Sequence, residues 1–479
     1  MSPGALGLTD RALHPGAERG YWLREALASD PGAPCPPLEG ELDVDVVILG
    51  GGFTGLWTAF FLQELAPTSR IAILEQDICG GGPSGRNGGF ATGWWDELTG
   101  LSTLYGREGA LAAARAVGAS VRALSDFCAR FQVDAWYRGN GYMLVASSPM
   151  QEGAWRHDVR LAQDLGVGDE YRELSPAEVQ ARCQSPAFGG GAFMRDGASL
   201  QPARLARGLR RVVLQRGARI FEGTPALRWT GSPRVEVETP RGRVRAGHAV
   251  VALNAWAMGW APVRRSAVAW SSYIALTVPA PDRLGAIGWT DGLCISDCRT
   301  SLHYFRTTPD GRIAMGGGGG RADGRMREAI FTRDRRAVAE AAAGLRRLFP
   351  SFQDVPVEDG WGGPIDVSPT HLPSCWTMAP GTLHAALGYT GNGVAPSHLA
   401  GQILARLALG REDEITRLPI VNPRRRQFPP EPLRSLGARI VRRAIVRKDD
   451  AEDAGRRADP LTRLIAGSPR RLGYLLGPE

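Results

Sequence analysis

The eleven residues Asp45-Val46-Val47-Ile48-Leu49-Gly50-Gly51-Gly52-Phe53-Thr54-Gly55 limit what this chain can fold into more than any other stretch. A run of β-branched apolar residues reads as a strand buried on both faces. It breaks into Gly50-x-Gly52-x-x-Gly55, and an apolar, helix-capable run follows from Leu56 to Leu65. Strand, glycines, helix is the order a dinucleotide-binding unit requires. Gly50 permits the tight turn, Gly52 lets backbone approach a pyrophosphate, and Gly55 lets the helix pack close to the strand. The start of that helix offers free N–H groups and a positive dipole end to phosphates. A second apolar strand, Ile71 to Leu74, ends at Glu75, 20 residues beyond Gly55. A carboxylate there can accept both ribose hydroxyls of an adenosine. The competing reading is a glycine-rich turn ahead of an ordinary helix.

At 479 residues the chain exceeds one core, so two intertwined domains plus a tail are expected. With 43% hydrophobic and 22% charged residues the composition is globular. No apolar run approaches the roughly 18 residues of a spanning helix, and Met1 to Gly20 holds no apolar segment of a secretory signal. Seven scattered cysteines, with Cys294 and Cys298 the one close pair, fit reduced thiols in the cytoplasm better than disulfides or a metal site. The net charge of +8 is concentrated: residues 421–479 carry 14 Arg/Lys against 7 Asp/Glu. That excess sits in a tail without a recognition fold or interleaved aromatics, so nucleic acid is not an expected partner.

Residues 1–40 read as a lead-in segment with a short helix from Tyr21 to Ala28. The loop Cys79 to Phe90 holds too many glycines for a helix or central strand and suits close approach to a flat ligand. Helices are expected over 108–131, 151–165, 203–215 and 334–349. Strands are expected at 142–145, 219–222, 234–238 and 248–256, and again at 273–278, 292–296, 301–306 and 312–315. The short strand Leu383 to Leu387 runs into Gly388-Tyr389-Thr390-Gly391-Asn392-Gly393-Val394 and a helix from His398, a second strand–glycine–helix unit whose N-terminus could face the same ligand. In the tail, Leu433, Leu436, Ile440 and Ala444 share one helical face, with Arg442, Arg443 and Arg447 assigned to others. Docking on the protein's own surface is favoured over contact with a membrane.

Four motifs in order now carry a resemblance: Gly50 to Gly55 with Glu75, Ser84-Gly85-Arg86-Asn87-Gly88-Gly89, Val250 to Trp256, and Gly388 to Gly393. Over residues 20–415 the chain resembles the D-amino-acid oxidase (DAO) superfamily of FAD-dependent amine oxidoreductases, which includes sarcosine, glycine and γ-glutamylputrescine oxidases. The wording from Gly82 to Phe90, with Trp94-Trp95 after it, is most similar to an aminophosphonate oxidoreductase branch. The resemblance implies an α/β fold: a Rossmann-like FAD-binding domain (41–135, 200–262 and 360–415) interleaved with an α+β substrate domain (136–199 and 263–359) bearing a mixed or antiparallel sheet, plus a helical basic extension (416–479).

It further implies FAD, held by Gly50, Gly51, Gly52, Phe53, Thr54 and Gly55 at the pyrophosphate and by Glu75 and Gln76 at the adenosine. Gly82, Ser84, Arg86, Asn87, Gly88, Gly89 and Phe90 would lie along the pyrophosphate and ring, Ala226 and Asn254 in returning segments, and Gly391, Asn392, Gly393 and Val394 near the flavin's pyrimidine edge. Neither Cys nor His stands where relatives attach flavin covalently, so FAD is expected to be non-covalent. The single lysine, Lys448, lies in the tail, so no lysine is expected over the flavin. On the strand around 304, Tyr304 and Arg306 share a side and could clamp a carboxylate or phosphonate; an exposed surface strand is the alternative. Trp94 could wall the substrate pocket or belong to the core, and Asn392 could hydrogen-bond flavin or substrate. His303 could serve as a base or be structural.

The expected activity is oxidation of a small anionic primary or secondary amine, with hydride passing to flavin N5, hydrolysis of the imine, and reoxidation by O2. Three alternatives stay open: a dehydrogenase feeding a quinone or carrier protein, an NAD(P)H-fed monooxygenase, and a nucleotide-binding module without chemistry.

Overall fold

A computed structural model describes residues 19–474 except 233, 318–319 and 321–330. The first 18 residues, with the reading that they hold no secretory signal, lie outside the described residues.

Two eight-stranded sheets organise the chain. In the first, Gly40–Leu49 lies at the centre, parallel to Gly242–Val251 on one side and to Ile71–Leu74 on the other. Arg219–Phe221 extends the sheet beyond Ile71–Leu74 in parallel, and Leu383–Leu387 beyond Gly242–Val251. Alternation along the central strand sends Val46 and Ile48 into one apolar cluster and Val47 and Leu49 into another. The sheet is thus covered on both faces, which is why its strands read as unbroken apolar runs. Helix Phe53–Leu65 is buried almost all round, and helix Val394–Ala408 packs across it where Gly401 meets Trp57.

In the second sheet the order is Val357–Val367, Val268–Thr277, Ile313–Gly317, His303–Thr307, Cys294–Asp297, Tyr142–Val145, Gly191–Met194, Tyr171–Leu174. All its pairs are antiparallel except Cys294–Asp297 with Tyr142–Val145, so it is mixed. The chain passes between the two sheets four times. Val357–Val367, which the sequence reading splits at 359/360, belongs wholly to the second sheet, paired along its length with Val268–Thr277. Its run of Gly and Asp hides the strand, because partner pairing rather than side-chain alternation fixes it.

The helix expected over 108–131 begins earlier, at Leu98, with a break at Gly106 (φ 73°). The extension forms helices Leu433–Asp453, Pro460–Ala466 and Ser468–Arg471. It docks on the protein: the fully buried Asp449 carboxylate accepts from the Thr300 and Ser301 N–H groups (3.1 and 2.9 Å) and from Ser301 Oγ (2.5 Å). No helix among the described residues is long and apolar enough to cross a membrane.

Candidate functional site

The C-terminal edge of the first sheet opens into a cleft. Both strand–glycine–helix units end there: Gly50, Gly52, Phe53 and Thr54 from the first, Tyr389, Gly391, Gly393 and Val394 from the second. Gly50 holds φ +106°, and a Cβ on it would meet the Ala252 carbonyl oxygen at 2.5 Å. A Cβ on Gly55 would stand 2.0 Å from the Gly50 oxygen, so the helix starts where only glycine lets it start. Ser84 Oγ accepts from the Phe53 N–H (2.8 Å). Thr54 Oγ1 and Tyr389 Oη share a hydrogen bond of 2.7 Å that ties the two helix starts together.

Beside the first glycine turn, Glu75 accepts from the Gly51 and Asp77 N–H groups (2.7 and 2.9 Å). Burial pushes its carboxyl up to about 7, against the pull of those donors. Asp366 sits deeper, accepting from the Gly388 and Tyr389 N–H groups (2.6 and 3.2 Å) and from Asn254 Nδ2 (2.8 Å). Burial raises it too, to about 7. Gln76, Gly82, Ser84, Arg86, Asn87, Ala226 and Asn254 also line the cleft. The sequence reading assigned no role to four further polar lining residues, Asp77, Thr332, Asp366 and Ser397. A lone acid in a glycine-rich run, such as Asp366, carries no signal before the fold places it.

The loop 82–90 is held from behind. Three buried side chains donate to consecutive carbonyls: Trp361 Nε1 to Arg86 O (2.8 Å), Trp22 Nε1 to Asn87 O (3.1 Å) and Arg306 Nε to Gly88 O (2.6 Å). Gly89 O takes the Leu200 N–H (2.8 Å). Gly51, Gly55, Gly88, Gly89, Phe90 and Asn392 thus support or flank the cleft and do not line it. Asn392 is half-buried, accepting from Thr92 Oγ1 (3.2 Å).

Two expected substrate contacts are corrected. Arg306 does not present a clamp. It is buried, stacks 4.8 Å from the Trp22 ring centroid, and donates to the Gly88, Leu200 and Thr307 carbonyls. Among the described residues no carboxylate pairs with it, and burial lowers its pKa to about 10. Trp94 belongs to the core and lines no part of the cleft; its neighbour Trp95 is also buried, donating to Asp196 (3.0 Å). Tyr304 lies against Gly88 and Phe90, its hydroxyl 2.8 Å from Ser272 Oγ and pushed up to about 12 by burial. His303 is buried and lines no part of the cleft; its Nδ1 lies 2.7 Å from the fully buried Asp297 carboxylate. Cys375 is buried off the cleft, and Lys448 pairs with Glu452 (2.8 Å) in the extension.

Two glycine-shaped helix starts, an acid beyond the neighbouring strand and an extended cleft between them fit a dinucleotide cofactor. Residues 45–407 match the DAO family, described as FAD dependent oxidoreductase. The chain is similar to the Probable oxidoreductase OrdL of Rhizobium meliloti, 28% identical over 410 residues, which span 83% of this chain and 90% of that one. It is 24% identical to the Gamma-glutamylputrescine oxidoreductase of Escherichia coli, over 82% of this chain and 91% of that one. Its fold is that of the glycine oxidase from Geobacillus kaustophilus, with a TM-score of 0.65 and 19% identity, over 80% of this chain and 99% of that one.

Proposed function

The chain belongs to the DAO family of FAD-dependent oxidoreductases, and from that premise we propose that it oxidises a small primary or secondary amine of the amino-acid, γ-glutamyl amine or aminophosphonate type in the cytoplasm, with O2 as oxidant. The observation that carries this reading is the convergence of both helix starts and Glu75 on one cleft. The name of the Escherichia coli relative supports the amine class.

In this reading the lobe around the first sheet holds FAD without a covalent bond. The helix starting at Phe53 would face the pyrophosphate, Glu75 would accept from the ribose hydroxyls, and Ala226 would meet the adenine. The helix starting at Val394 would turn its first N–H groups toward the flavin ring and favour negative charge there. Bound there, FAD would supply a two-electron acceptor for the C–H bond beside the amine nitrogen, and hydrolysis of the oxidised product would give a carbonyl compound and a free amine. Asp366 fixes the backbone of Gly388 and Tyr389, and Arg306 fixes Gly88. Both are positioning residues. Tyr304 and Asn392 flank the substrate side, where each offers a hydrogen bond.

Anaerobic addition of amino acids, γ-glutamyl amines and aminophosphonates to the yellow protein tests this. One class should bleach the flavin bands, and air should restore them with release of hydrogen peroxide. Bleaching by NADPH alone, with no response to any amine, would overturn the reading.

A further inference from the structure

Eight large hydrophobic residues are exposed among the described residues, and six of them lie between 433 and 472: Leu433, Leu436, Ile440, Leu461, Leu464 and Leu472. Leu433, Leu461 and Leu472 expose 63%, 63% and 74% of their surface. This concentration falls in the segment beyond residue 407, outside the family match. Scattered exposed leucines need no explanation, but a cluster of six in forty residues does.

The cluster has a geometry. On helix Leu433–Asp453, at 3.6 residues per turn, positions 433, 436, 440, 443 and 447 fall within about 80° of one another. All five are exposed. The stripe is therefore Leu, Leu, Ile, Arg, Arg; Arg443 and Arg447 continue the apolar row and do not lie on other faces as the sequence reading had it. The opposite side of the helix is occupied by docking. Asp449 is buried in the 300–301 turn, Arg442 Nε donates to Gly320 O (2.7 Å), and Arg434 Nη1 donates to Arg264 O (2.8 Å).

Charge selects the occupant. Residues 433–472 hold eleven Arg/Lys against five Asp/Glu, a net of +6. Seven of the arginines are exposed (439, 443, 447, 456, 457, 463, 471), and only Asp450 and Asp459 among the acids. A second copy of this face would bring like charge against like charge. A surface that is anionic at its rim and apolar beneath satisfies both components, and that is a bilayer containing acidic phospholipid. A helix with polar and docked flanks lies in the interface and does not span it.

We propose that the outer face of the C-terminal extension docks on an anionic lipid surface, its leucines entering the headgroup boundary and its arginines meeting phosphate. The inference is independent of the amine reading.

Flotation of the full-length, FAD-loaded protein with vesicles tests it. Binding is expected to phosphatidylcholine vesicles enriched in phosphatidylglycerol and not to phosphatidylcholine alone. The triple variant Leu433→Ser, Leu436→Ser, Ile440→Ser should lose about a hundredfold in partition, and Arg443→Glu with Arg447→Glu should lose a similar amount. Both variants should keep their flavin content and melting temperature, because the altered side chains face outward. Absence of vesicle binding by the wild type would overturn the proposal. So would undiminished binding by the triple serine variant, which would leave only diffuse charge attraction. A wild-type dimer in solution that the serine variant dissolves would also overturn it, in favour of a second copy as occupant.

Discussion

Replacing Gly55 by alanine places a methyl group 2.0 Å from the Gly50 carbonyl oxygen and 3.1 Å from Ile48 Cγ2. Ordinary contact begins near 3.4 Å, so the start of the helix must move off the strand by roughly 1.4 Å. Alanine regains about 1 kcal/mol of helix propensity. Forcing a methyl into a packed contact costs about 1–3 kcal/mol, so the fold should lose no more than about 2 kcal/mol. The ligand should lose more. Displacing a positioned group by about 1 Å is enough for about a hundredfold effect, equivalent to about 2.7 kcal/mol of binding. The purified variant should therefore be pale. Titration of its apoprotein with FAD, followed by flavin fluorescence, should give a Kd raised about a hundredfold or more. Gly285→Ala is the control, since a Cβ there meets nothing within 4 Å; it should bind FAD as the wild type does. A Gly55→Ala protein with full flavin content and unchanged Kd would refute the placement of the pyrophosphate at this helix.

Burial holds the Glu75 carboxyl at about 7, and the ionised form is the one that would accept from two ribose hydroxyls. FAD affinity should thus be level above pH 7 and fall by up to about tenfold per unit below it; Glu75→Gln should flatten the profile, and affinity rising toward acid would contradict the role. Asp366 is raised from 3.8 to about 7 in the folded protein. The folded state binds the proton more tightly than the unfolded one, so this group's contribution to stability falls as pH rises through that window. Asp366→Asn should therefore cost less stability at pH 8 than at pH 5, measured by denaturant melts of the apoprotein. Arg306→Met removes donors from three carbonyls, each worth about 1 kcal/mol net, partly offset by no longer burying an unpaired charge. Lower flavin content with a lowered Tm is expected; normal flavin with only a raised KM would restore the substrate clamp.

The segments that the sequence determined are those whose chemistry is local. Val46 to Gly55 forms a strand, turn and helix because β-branched residues, glycines and an apolar run dictate each in turn, and the unit from Leu383 to Val394 repeats the logic. Glu75 was legible because its distance from Gly55 follows from the length of one helix and one strand. Arg306 and Trp94 were not legible in this way. Alternation put Arg306 on the same side as Tyr304, but which neighbours fill that side is decided by residues 22, 88 and 200, far away in the chain. Asp366 is alike: its strand exists through pairing with 268–277, and its three donors come from 254, 388 and 389. Local propensity and periodicity act over a few residues, and so fix the elements and the glycine-bound cradle. Burial and hydrogen-bond partners are set by packing between distant segments, and only the tertiary structure decides them.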